Sequence, residues 1–148
     1  MGKTLGYMVT WTTYGIWLQG DGRGYVKNGK VLGENKGLEH ANKEMLKGDK
    51  FKLTKGQRKI VESAIFIEAE RIGEKILAIA VCSNHIHVVI SEGGDSVDKV
   101  VSRFKNAGYY ALKENGFGGK VWTAGYDKRF CFDEKMLRDR ITYVERHN

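Results

Sequence analysis

Two histidines stand one residue apart in "SNHIHVVI", residues 83–90, at the head of an apolar run. In a strand, residues i and i+2 point to the same face, about 7 Å apart. His85 and His87 therefore project side by side, with Ile86 and Val88 facing the other way. Two neutral imidazoles at that spacing can reach one metal ion with bonds of about 2 Å each. The plainer alternative is a pair of histidines in ordinary hydrogen-bonding roles. Cys82, three residues before His85, adds a third reading, a cysteine-containing zinc site. If Ser83-Asn84 is a tight turn, Cys82 faces His85 across a hairpin, but no fourth ligand lies nearby in the sequence.

The chain ends in "TYVERHN". Tyr143 and His147 are four apart, so on a helix they share a face one turn apart. Taken alone, a tyrosine at the edge of a helix's core stripe usually packs with its hydroxyl outward. The combination says more. A metal held by His85, His87 and His147 would act as a Lewis acid on a phosphoryl group. A tyrosine hydroxyl one turn from a ligand would be placed for in-line attack.

The elements that must position these residues can be read in order. "LGYMVTWTTYGIWL" is rich in β-branched and aromatic residues and predicts a strand over roughly 5–14. A polar, Gly- and Lys-rich stretch follows to Lys52, long for a loop in so small a domain. Within it, "GYVKNGKVL" reads as a hairpin about Asn28-Gly29, and "LEHANKEMLK" as a short helix. Thr54 with Gln57 has the pattern of a capping box, opening a helix with Ile60, Val61, Ala64, Ile67, Arg71 and Ile72 at helical spacing and Gly73 at its end. "KILAIAVC" and "HIHVVI" are strands joined by the Ser83-Asn84 turn. A second helix runs from an Asp95 cap to Gly116, "KVWTAGYDKRFCF" is extended, and a last helix starts near Asp133 with Leu137, Ile141 and Val144 as its core stripe. This order predicts an α+β, ferredoxin-like split βαβ fold: an antiparallel sheet with helices on one face, plus a C-terminal helix carrying the tyrosine. The expectation is one domain, 1–148, with an insertion at about 19–53.

Composition sets the partners. The chain has 25 Lys plus Arg against 18 Asp plus Glu, net +7, and +5 of this excess lies from Lys99 onward. Such a balance suits polyanions, because phosphate contacts release counterions. No apolar stretch approaches the roughly 20 residues of a membrane span. "MGKTLGYMVTW" lacks the features of a secretory signal, and two distant cysteines, Cys82 and Cys131, make no disulfide framework. A cytoplasmic location with no membrane association is the expectation.

With these residues in view, the sequence resembles the single-tyrosine HUH transposases, the small insertion-sequence enzymes and the REP-associated tyrosine transposases. The resemblance rests on "HIH" at 85–87 preceded by Asn84, "MVTWTTYGIWLQGDGRG", "SRFKNAG", "VWTAGYDKRF" and "ITYVERHN", and so runs along nearly the whole chain. It implies a ferredoxin-like fold and metal-dependent cleavage and rejoining of single-stranded DNA with Mg²⁺ or Mn²⁺. Tyr143 falls at the nucleophile's place and would form a covalent 5′-phosphotyrosine. The family's third ligand is typically Gln or Asn four residues after the tyrosine; here that position is His147, with Asn148 next. Family members usually continue beyond this point, commonly recognise a DNA hairpin, and are often homodimers exchanging the tyrosine helix, though some act as monomers.

Lys105 and Arg129 are then candidate phosphate contacts, with solvated surface charge as the alternative. Trp122 and Tyr126 could stack on unpaired bases, against a role in core packing. Arg23, inside "GDGRG", could approach a DNA backbone, against an ordinary turn. The competing function is a non-catalytic or domesticated module that binds single-stranded nucleic acid on the same fold, which would not require His85 and His87.

Overall fold

The computed structural model describes residues 3–16, 26–27, 30–31 and 51–147. Strand β1 is Gly6–Thr12; β2 (Val26–Lys27) and β3 (Lys30–Val31) form a separate ribbon; α1 is Lys55–Ile72. Then come β4 (Ile76–Val81), β5 (His85–Ser91), α2 (Val97–Glu114), β6 (Asp127–Cys131) and α3 (Glu134–His147). The four long strands pair in the order β4-β5-β1-β6, each neighbour antiparallel, which is the expected ferredoxin-like arrangement. In the ribbon Lys27 pairs with Lys30, the register of a two-residue connection. The turn residues themselves, the expected helix at "LEHANKEMLK" and Arg23 lie outside the described residues. Among the described residues no helix is long and apolar enough to cross a membrane.

Local chemistry sets the helix ends. Thr54 caps α1, its hydroxyl accepting from the Gln57 N–H at 3.2 Å while the Gln57 side chain accepts from the Thr54 N–H at 2.9 Å. Gly73 closes α1 in the left-handed region, φ 75°, where a side chain would be strained. Two expectations shift here. The buried stripe of α1 is Val61, Ile65 and Ala69, and Ile67 is 68% exposed. The run "IVESAIFIEA" carries apolar residues on more than one side, so helical spacing alone admits either stripe. The cap of α2 is Ser96, whose hydroxyl accepts from the Lys99 N–H, while Asp95 pairs with the Lys99 amine at 3.4 Å. For α3 the Asp133 carboxylate accepts from the Met136 N–H at 2.8 Å, as an N-terminal cap should.

Strand alternation gives the sheet two apolar faces. Tyr7, Val9, Trp11, Ile86, Val88 and Ile90 face α1 and α2, where they meet Val61, Ile65, Val100, Phe104 and Leu112. Met8, Ala78, Ala80 and Val89 face the other way and are covered by Leu137, Ile141 and Val144 of α3. The sheet therefore lies between two helices and one. Small alanines on β4 let α3 come close. Gly6 does the same on β1, because a Cβ there would stand 3.0 Å from Leu137 Cδ1 and 2.6 Å from the Ile90 carbonyl oxygen.

Replacing Gly6 with Ala must push this strand pair and α3 apart. The expected cost is about 1–3 kcal/mol in the urea-unfolding free energy; an unchanged midpoint would show that α3 does not press on β1 at this point.

Candidate metal centre

On β5, alternation sends His85, His87 and Val89 to the face that α3 covers. His87 lies in register between Ala80 of β4 and Thr10 of β1, and His85 opposite Thr12. The last turn of α3 brings His147 over this pair. The ring centroids are 4.7 Å apart for His85 and His87, 5.0 Å for His87 and His147, and 6.1 Å for His85 and His147. One ring nitrogen from each converges, all three lying within 4.8 Å of one another. This brings together the three residues that the sequence singled out as ligands.

Each ring is oriented by its Nδ1. His87 Nδ1 meets the Thr10 hydroxyl at 2.8 Å, His85 Nδ1 meets the Asn84 side-chain oxygen at 2.7 Å, and His147 Nδ1 meets the Tyr143 carbonyl oxygen at 2.8 Å. The last two partners can only accept, so Nδ1 donates to them and Nε2 carries the lone pair. For His87 the same tautomer follows if Thr10 accepts. Such outer bonds to the far nitrogen are what metal-ligating histidines generally make. Burial pushes His87 down to about 4, helped by its imidazole neighbours, and lowers His85 in the same way. Those two rings are thus neutral at pH 7, the form that ligates.

The donor set fits a divalent cation. Bonds of about 2.0–2.1 Å would draw the three nitrogens to roughly 3–3.5 Å separation, a short closing movement. Three imidazoles suit Mn²⁺ and softer ions better than Mg²⁺, which prefers oxygen. They also leave coordination positions open. The cysteine-containing alternative does not form: Cys82 shares the face, but its thiol donates to the His147 carbonyl oxygen at 3.5 Å and stands outside the convergent group.

Tyr143 lies beside this centre in the same chain. Its ring is 5.4 Å from His87 and 4.4 Å from His147, and it is 42% exposed. Among the described residues its hydroxyl has no hydrogen-bond partner. Arg129 also faces this side of the sheet, in register with Met8, and its Nε meets Asp127 at 3.1 Å.

The structure does not bring Lys105, Trp122 and Tyr126 to the centre; they belong to the face packed by α1 and α2. The Lys105 amine donates to the carbonyl oxygens of Thr123 and Gly125 at 3.0 and 2.9 Å, and burial lowers it to about 8. The Trp122 indole donates to the Lys105 carbonyl at 2.8 Å and packs edge-on against Trp11. The Tyr126 hydroxyl donates to Asp98 at the start of α2. These three therefore knit the 121–126 segment to α2. Sequence reasoning missed Thr10, which orients His87. Its alternation in "YMVTWT" places it on one face with Met8 and Thr12, but only the register across β1 and β5 pairs it with the histidine.

The fold has solved counterparts. A REP-associated tyrosine transposase bound to a REP hairpin aligns over 97% of this chain and 67% of its own, with TM-score 0.58 and 14% identity. A crystal structure from Deinococcus radiodurans R1, of a protein whose transposase assignment is provisional, aligns over 100% of this chain and 94% of its own, with TM-score 0.48 and 16% identity. No protein-family model matches the sequence. No curated protein matches it either.

Two outcomes follow from this geometry. Mn²⁺ at a hundred times its dissociation constant should raise stability by about 2.7 kcal/mol, read as a rise in melting temperature. His85→Ala should abolish that rise, and an equal rise in the variant would place the ion elsewhere. In the metal-free protein, an unfolded His87 takes its proton near pH 6.5 and the folded one only near 4. Stability should therefore fall as pH drops through that window, by at most roughly 3 kcal/mol from this residue. His87→Gln should flatten the urea-midpoint profile there; a profile as steep as the parent's would contradict the assignment.

Proposed function

We propose that this chain is a single-tyrosine nuclease and strand transferase of the HUH transposase type, acting on single-stranded DNA. The observation that carries the reading is the placement of Tyr143: half-exposed, in the same chain, its ring against two of the three convergent histidines. The structural counterpart bound to a REP hairpin supports a DNA hairpin as the partner's form. Because Tyr143 stands beside its own chain's histidines, this reading needs no second subunit to deliver the nucleophile.

A divalent ion, Mg²⁺ or Mn²⁺, would be held by His85, His87 and His147 and would withdraw charge from a bound phosphodiester. The rest belongs to the protein. The Tyr143 hydroxyl oxygen attacks phosphorus, and the bond from phosphorus to the 3′ oxygen breaks. The phenol gives up its proton and the departing 3′ oxygen takes one up, so the exchange is neutral in protons. The product is a 5′-phosphotyrosine and a free 3′-hydroxyl. One phosphoester has replaced another, so rejoining needs no nucleotide cofactor: a 3′-hydroxyl attacks the phosphotyrosine and releases Tyr143. Arg129, on the same face, is positioned to meet the polyanion.

Incubating the protein with Mn²⁺ and single-stranded oligonucleotides from around its own gene should give a covalent adduct that survives denaturation. Tyr143→Phe should lose the adduct entirely while keeping its Mn²⁺-dependent rise in melting temperature. Persistence of the adduct in that variant would overturn the assignment, and DNA binding without any adduct in the parent would favour a non-catalytic binding module.

A further inference from the structure

On a helix each residue advances 100°. In α3 that places Leu137, Ile141 and Val144 in one stripe, the stripe that meets the sheet. Arg140, Tyr143 and His147 then fall together on one flank, within about 60° of each other, and Arg138 and Glu145 fall on the opposite flank. The structure says which way the first flank faces. Leu137 stands over Gly6, whose cross-strand partner on β6 is Cys131. On this flank the Tyr143 ring lies 5.4 Å from His87 of β5. At the other end, the carbonyl of His147 reaches Cys82, just past the end of β4. The helix thus crosses the sheet diagonally, with Arg140 and Tyr143 on the side of β1 and β6.

The sheet face beyond this flank carries polar groups. His87, Thr10 and Asp127 form one cross-strand row, and Met8 and Arg129 belong to the next. Two strand spacings, about 10 Å, separate β5 from β6. The sheet face between α3 and β6 thus has Arg140 and Tyr143 on its helix side and Arg129 on its strand side, with the β1 side chains Met8, Thr10 and Thr12 buried between them. Arg129 is braced by Asp127 through Nε, one of its five donors. Arg140 is half-buried and enters none of the ion pairs among the described residues.

We propose that Arg140 and Arg129 grip the phosphodiester next to the one presented to Tyr143, so that the single strand runs over the side of the molecule between α3 and β6. The proposal rests on the reading of the chain as a single-strand nuclease and adds the two residues that hold its substrate in line. A guanidinium is suited to this, since its planar fork meets two phosphate oxygens at once. Arg140 is a positioning residue here, three residues before the nucleophile and on its flank.

The test is fluorescence anisotropy with a labelled single-stranded oligonucleotide, in EDTA, across 50–200 mM salt. Arg140→Gln should weaken binding about tenfold. It should also reduce the slope of log affinity against log salt by about 0.7, the value for one lost contact to a single strand. Arg140→Lys should keep the slope, and Arg138→Gln on the far flank should keep both slope and affinity. Parent-like binding by Arg140→Gln, or an equal loss in Arg138→Gln, would overturn the proposal. If Arg140→Gln fails to fold, loss of the salt slope in Arg140→Lys would overturn it as well. The two readings fail separately. The expected binding defects with no covalent adduct would remove the nuclease and keep the phosphate grip; a normal adduct with unaltered binding by Arg140→Gln would do the reverse.

Discussion

The site depends on one apolar seam, where Leu137, Ile141 and Val144 of the last helix press onto Met8, Ala78, Ala80 and Val89 of the sheet. Fully burying a valine, leucine or isoleucine is worth roughly 1.5–3 kcal/mol, and Val144 is completely buried. That seam fixes more than stability. Strand β5 offers His85 and His87, because alternation turns Ile86, Val88 and Ile90 into the opposite core and Val89 packs under α3. The third imidazole and the phenol both arrive on α3, from the flank beside the seam. Loosening the helix would remove the proposed third ligand and the proposed nucleophile together.

Hydrogen bonding then sharpens what packing has assembled. Each of the three rings spends Nδ1 on a different partner: a threonine hydroxyl on the neighbouring strand, an asparagine amide oxygen in the turn, and a helix carbonyl. The rings are held in orientation by these bonds. The same burial that keeps His87 uncharged makes protonating it costly in acid. The sheet also separates duties. Lys105, Trp122 and Tyr126 tie the 121–126 segment to α2 on the far side, while Arg129 and Arg140 share the side of the histidines and the phenol.

Much of this was legible in the chain. The ferredoxin-like order, the capping box at Thr54, the hairpin turn before His85 and the four-residue step from Tyr143 to His147 depend on short-range spacing, and spacing is what a sequence displays. The misplacements share one cause. Ile67 shares the helical spacing of Ile60 and Ala64 yet stands outside the core, because α1 has apolar residues on several sides and only contact with the sheet and α2 decides between stripes. Asp95 gave way to Ser96 as a cap because both side chains can accept from the first turn. Lys105 and Trp122 carry phosphate- and base-binding chemistry in principle, but the structure commits their polar groups to carbonyl oxygens seventeen to twenty residues away. Thr10 was invisible as a histidine partner because cross-strand register is a long-range property, linking residues 77 apart.

Everything at this site turns on strand and helix supplying one three-imidazole centre. Pulsed electron paramagnetic resonance of the Mn²⁺-loaded protein counts coordinated imidazole nitrogens directly and needs no DNA target. Three are expected in the parent and two in His147→Ala. Two in both would mean that the last helix contributes no ligand, and the phenol would lose its reason for standing there.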